Sequence, residues 1–198
     1  MNLQKINVKL FTDAPERVPL DPFLDIFSRW REDRSHPAGW IDLADYAHVA
    51  RGPGIVLIGT HGNLSVDLAD PGPGFLYASK QGLEGTCEER IREAFRRTLA
   101  LVTALRREPG FPGALEPRAG FWEISVNDRL GFPNTEETDR LLGPAVRAVA
   151  AQLFGSDAYQ LIRQAERERR YGFTLHGEEV ADLDQIAEVL GNTVSGSP

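Results

Sequence analysis

The chain has 198 residues, of which 41% are hydrophobic, enough for one sizeable core. Its net charge of -7 and pI near 5.2 disfavour a broad phosphate-binding surface, so nucleic acid is not an expected partner. The single cysteine, Cys87, excludes an intrachain disulfide, and no run of about 18 apolar residues offers a membrane span.

The first residues carry no apolar signal region, and a cytoplasmic bacterial-type protein is the expectation. Ile6, Val8 and Leu10 alternate with Asn7, Lys9 and Phe11, which predicts a half-buried first strand. Asp21 before Pro22 reads as a capping acid, and Phe23, Ile26, Phe27 and Trp30 follow at helical spacing. Residues 40–49 alternate again, with Ile41, Leu43 and Val49 on one face and Asp42, Tyr46 and His48 on the other. After a Gly-Pro loop, the unbroken apolar run 54–59 predicts a central strand covered on both faces. Leu64, Val66 and Leu68, then residues 75–78, complete a four-strand meander.

Thr86 with Glu89 is a capping box, and Ile91, Phe95, Thr98, Val102 and Leu105 mark one face of a long helix. Trp122, Ile124 and Val126 form a further strand. Residues 134–137 cap a helix that Gly143 and Pro144 are expected to kink or restart. Residues 159–164 and 171–176 read as a closing hairpin. A short helix from Leu183 to Leu190 ends at Gly191, and residues 193–198 read as a frayed tail. The predicted architecture is one α+β domain over 1–192, a mostly antiparallel sheet with helices packed on one side. Its order suggests two strand-helix-strand-strand units joined by a meander and a long helix.

The segment 41–49 (IDLADYAHV), followed by Gly52, Gly54 and Gly59, and the segments 125–130 (SVNDRL) and 134–138 (NTEET) resemble a family of uncharacterised bacterial proteins. The resemblance spans most of the chain and implies no activity and no site residues. The element order alone is similar to tandem effector-binding and haem-binding modules, a likeness of topology.

The densest set of candidate ligands is Asp42, Asp45, His48 and His61. If Val49 pairs with Gly54, Asp42 lies opposite His61, and a carboxylate orienting an imidazole is the basic unit of general-base catalysis. With Asp45 or Asp67 nearby, the same group suits a divalent metal, though no metal is assigned. The competing reading is a cross-strand ion pair on a solvated sheet face. Cys87 falls in the first helical turn, where the dipole favours a thiolate, and as a nucleophile it needs a base such as His61. A small side chain tolerated in that turn is the alternative. Arg90, Arg92, Arg96 and Arg97 interleave with Glu88, Glu89 and Glu93, which predicts a salt-bridged solvated face. The glycines at 52–54 and 59–62 match no phosphate-loop pattern and read as turns.

No complete catalytic set emerges. The expected function is therefore non-catalytic binding of a small ligand or a protein partner, with Trp40, Tyr46 and Tyr77 as candidate ligand-binding aromatics. The alternatives are a hydrolase or lyase centred on His61 with Asp42 and His48, and a homodimer built on a sheet face.

Overall fold

The computed structural model describes residues 2–13, 17–33, 39–155, 158–177 and 182–191. In chain order it contains β1 (Ile6–Thr12), α1 (Asp21–Glu32), β2 (Trp40–Tyr46), β3 (Gly54–Gly59), β4 (Gly62–Asp67) and β5 (Gly74–Ser79). Then come α2 (Cys87–Arg106), β6 (Pro117–Val126), α3 (Glu136–Phe154), β7 (Tyr159–Arg163), β8 (Gly172–Gly177) and α4 (Leu183–Gly191). The eight strands form one sheet in the order β2-β3-β4-β5-β1-β6-β8-β7, with every pair antiparallel. The chain is thus an α+β protein with helices packed against an antiparallel sheet. Each strand-helix-meander unit places its first strand beside the last strand of its own meander, and the units meet at the β1–β6 pair.

Register explains which face the helices cover. One cross-strand row runs Leu43, Leu57, Leu64, Tyr77, Val8, Ile124 and Phe173, and the next runs Ile55, Val66, Phe75, Leu10, Trp122, Leu175 and Leu161. Both rows are apolar between the edges, where the first ends on Arg163 of β7 and the second on Asp45 of β2, and burying each large apolar member contributes about 1.5–3 kcal/mol. Phe23 of α1 meets Phe75 edge-on at 5.9 Å, and Phe95 of α2 meets Trp122 at 5.4 Å, so both helices lie on this face. Leu142 and Val146 of α3 close on Ile124 and Phe173 from the same side.

Among the described residues the opposite face carries no helix, and its composition differs. Its rows run Asp42, Ile58, Asn63, Ala78, Asn7, Ser125, and Ala44, Val56, Ser65, Leu76, Lys9, Glu123, Thr174. At its centre Lys9, 3% exposed, donates to Asp67 at 2.5 Å and to the Ala69 carbonyl at 2.9 Å. Glu123 stands directly across from Lys9 on β6. Burial pushes its carboxyl above the usual glutamate range, Lys9 pulls it back, and Asp67 pushes it up again.

This raised carboxyl makes stability depend on pH with a definite sign. An unfolded glutamate loses its proton near about pH 4.3, whereas folded Glu123 holds it to higher pH. Its contribution to stability is present below the unfolded value and is lost as pH rises through the folded value. Glu123→Gln is therefore expected to raise the melting temperature relative to wild type at pH 7, with the difference shrinking towards pH 4. Thermal melts across that range check it, and a variant less stable than wild type at pH 7 contradicts it.

Several expectations need correction. β1 is buried along its whole length rather than half-buried, because it lies in the middle of the sheet; β3 is one strand from the edge, with Val56 and Ile58 only half-buried. β2 ends at Tyr46, and the chain turns through residues 47–53. Leu20, not Asp21, is the N-cap of α1 and makes no side-chain cap. Pro144 sits inside α3 without ending it, and Thr135 is the capping side chain, accepting from the Thr138 amide. The capping box of α2 is present in both halves, as Thr86 and Glu89 dictate. His36 and the tail at 193–198 lie outside the described residues. Among the described residues no helix is long and apolar enough to cross a membrane.

Candidate functional site

The β3–β4 turn, the start of β2, the end of β5 and one side of α2 enclose a cleft of about 500 Å³. Trp40, Tyr77, Ala100 and Leu101 supply its apolar surface, and His61, Glu84, Glu93, Arg96 and Arg97 supply its polar groups. Its volume and its mix of surfaces match those of small-molecule sites.

Two glycines make room for the aromatic walls. A Cβ on Gly59 would stand 2.8 Å from the Trp40 ring, and a Cβ on Gly62 would stand 2.5 Å from the Tyr77 hydroxyl. Only a residue without a side chain lets each ring lie against the backbone of the turn. The far side of Trp40 is occupied by Trp30, stacked at 6.4 Å and 15°. Both walls are nearly buried: Trp40 is 9% exposed and Tyr77 4%. His61 is exposed on the turn between them, its carbonyl accepting from the Lys80 amide at 2.8 Å.

The residues from α2 are 93, 96, 97, 100 and 101, the spacing of one helical stripe. The carboxylate of Glu93 accepts from Arg96 Nε at 2.5 Å and Nη2 at 2.7 Å, and from Arg97 Nε at 2.7 Å. Arg97 also donates to the Gly82 carbonyl at 2.8 Å. Burial works against the charge of Glu93, but the hydrogen bonds from Arg96 and Arg97 outweigh it and hold its carboxyl below the usual range. Burial likewise opposes the Arg97 charge, and hydrogen bonds to Glu93 and Tyr77 leave its pKa raised. The bond to Glu93 leads in raising Arg96. The cleft thus holds an ionised Arg-Glu-Arg cluster at neutral pH.

Of the residues singled out from the sequence, Trp40, His61 and Tyr77 come together in this cleft. Asp42 does not join them. The β2–β3 register sets Asp42 against Ile58 and Trp40 against Gly59, which leaves His61 beyond the strand pair rather than opposite Asp42. Asp42 instead accepts from the Leu43 amide, and Asp45 accepts from the Ala47 amide at the end of β2. His48 and Tyr46 sit together at the far end of the hairpin, their rings 6.5 Å apart and roughly 20 Å from His61 along β3. Cys87 opens α2 and packs half-buried against the hydrophobic core, outside the cleft lining. Among the described residues no three His, Cys, Asp or Glu side chains are placed to hold one metal ion.

Reading the sequence missed Glu84, Ala100 and Leu101, placed Glu93, Arg96 and Arg97 on a salt-bridged solvated face, whose ion pairs are present but line the cleft, and took the two glycines as plain turns. The signal was present in α2. Beside the core stripe at 91, 95, 98, 102 and 105 runs a second stripe at 93, 97, 100 and 101, which ends on an apolar residue. A purely solvated helix face has no need of Leu101 there. Compared with protein-family models, with curated proteins and with solved structures, the chain matches none.

Proposed function

We propose that the protein is a non-catalytic binding protein whose cleft between α2 and the β3–β4 turn takes a small organic molecule. The observation that carries this reading is the convergence of Trp40, His61 and Tyr77 with the α2 stripe around one cavity of about 500 Å³. The aromatic walls supply dispersion and apolar burial, while His61 and Arg96 at the rim supply direction. No general base pairs with a nucleophile among the described residues there, so they support recognition better than turnover. A half-buried free Cys87 suits a reducing compartment such as the bacterial cytosol.

A neutral apolar probe, N-phenyl-1-naphthylamine, tests the cleft directly. Its fluorescence is expected to rise on binding wild type, and Ala100→Trp is expected to weaken binding about tenfold or more by filling the cleft from an exposed helix position. Equal binding by both proteins contradicts the site. A second reading, docking of a protein partner or a second copy on the helix-free sheet face, is favoured by the exposed Tyr46 and Ile162 on that face. Sedimentation at high concentration tests it, with Ile162→Lys expected to abolish any dimer.

A further inference from the structure

The groups lining the cleft also point to a class of ligand, an inference that rests on the cleft being a binding site. Three donors face the cleft with uneven occupation. Arg97 is held at three points, by Glu93 at Nε, by the Gly82 carbonyl at Nη2 and by a hydrogen bond with Tyr77. Arg96 spends Nε and Nη2 on Glu93, while its Nη1 and the His61 ring make no hydrogen bond among the described residues. Arg96 is half exposed, with 50% of its side chain accessible, so a ligand can reach its fork from solvent. Behind these groups the cleft is apolar, floored by Trp40, Tyr77 and Leu101.

The group that fills the guanidinium fork is itself informative. A single carboxylate, that of Glu93, takes two parallel bonds from Arg96 and a third from Arg97. Planar bidentate geometry of this kind matches a carboxylate closely. Of the two pairs, Arg96–Glu93 at i,i+3 is the more accessible and contributes the less to stability, so an incoming acid draws Arg96 away at small cost while Arg97 keeps Glu93 in place. An aromatic body then lies against Trp40 and Tyr77 as the acid reaches Arg96 and the free His61 edge.

We propose that the cleft binds an aromatic carboxylate, and that Glu93 is its internal competitor, occupying the arginine fork until the ligand's carboxylate replaces it. The contact between Glu93 and Arg96 is then a built-in brake on affinity.

The test is calorimetric titration with 1-naphthoate and its neutral isostere 1-naphthamide, on wild type, Glu93→Gln and Arg96→Ala, with thermal melts confirming that each variant is folded. Glu93→Gln is expected to tighten naphthoate binding about tenfold, and Arg96→Ala to weaken it at least tenfold, while naphthamide binding moves less than about twofold in either variant. Equal binding of naphthoate and naphthamide that ignores both substitutions overturns the carboxylate proposal and leaves the cleft standing. Glu93→Gln weakening naphthoate also overturns it, since Glu93 then assists the ligand rather than competing with it. Binding of neither compound to any variant, with N-phenyl-1-naphthylamine indifferent to Ala100→Trp, overturns the cleft itself.

Discussion

Replacing Lys9 with methionine is expected to lower the unfolding free energy by about 3–5 kcal/mol. The ammonium of Lys9 is buried on the helix-free face with Asp67 and the Ala69 carbonyl as its hydrogen-bond partners. Methionine keeps the length of the side chain but leaves the Asp67 carboxylate, itself 6% exposed, without its cation. A lone buried charge is far costlier than a lost attraction, and that difference separates this pair from the chain's surface ion pairs. The double variant Lys9→Met with Asp67→Leu removes both charges together and is expected to return to within about 1 kcal/mol of wild type. Urea unfolding with an unchanged m-value checks both. A double variant as unstable as the sum of its single changes contradicts the assignment.

Trp122→Ala is expected to be of similar size, about 3–5 kcal/mol. Trp122 is fully buried in β6, flanked across the strands by Leu10 and Leu175 and capped by Phe95 from α2. Its indole N–H donates to the Ala119 carbonyl at 2.6 Å. Removing the ring opens a cavity where the two halves of the sheet and the long helix meet, a place with little freedom to collapse. The melting temperature is expected to fall by about 6–20 °C for a chain of this length. Trp122→Phe keeps most of the volume and loses the hydrogen bond, and a drop of about 1–2 kcal/mol is expected. Thermal unfolding of the two variants checks the ranking. A phenylalanine variant as damaged as the alanine one shows that the hydrogen bond, not the packing, holds this junction.

Much of the fold was legible because its signals are local. Alternation at 122–126, the core stripe from Ile91 to Leu105 and the Thr86–Glu89 box each act within one element, and each became the element expected. What escaped depends on how elements meet. Lys9 alternates with Val8 and Leu10 just as a solvated residue would, and nothing local reveals that two further strands bury it from either side. The Asp42–His61 pairing failed for a similar reason. Strand register is set by the length of the connecting loop, and a turn that runs from residue 47 to 53 slides every partner past the one assumed. Trp40 and Tyr77 were recognised as aromatics, yet their meeting with α2 needed the sheet order and the two glycines that let the rings approach.

The most direct measurement is native mass spectrometry of gently purified wild type and of Ala100→Trp, each with its denatured mass as control. Wild type is expected to carry an excess of roughly 150–500 Da, the ligand size that suits a cleft of this volume, lost on denaturation and absent from the variant. The same excess on both proteins, or none on wild type even after incubation with 1-naphthoate, contradicts a ligand in the cleft formed by Trp40, His61, Tyr77 and α2.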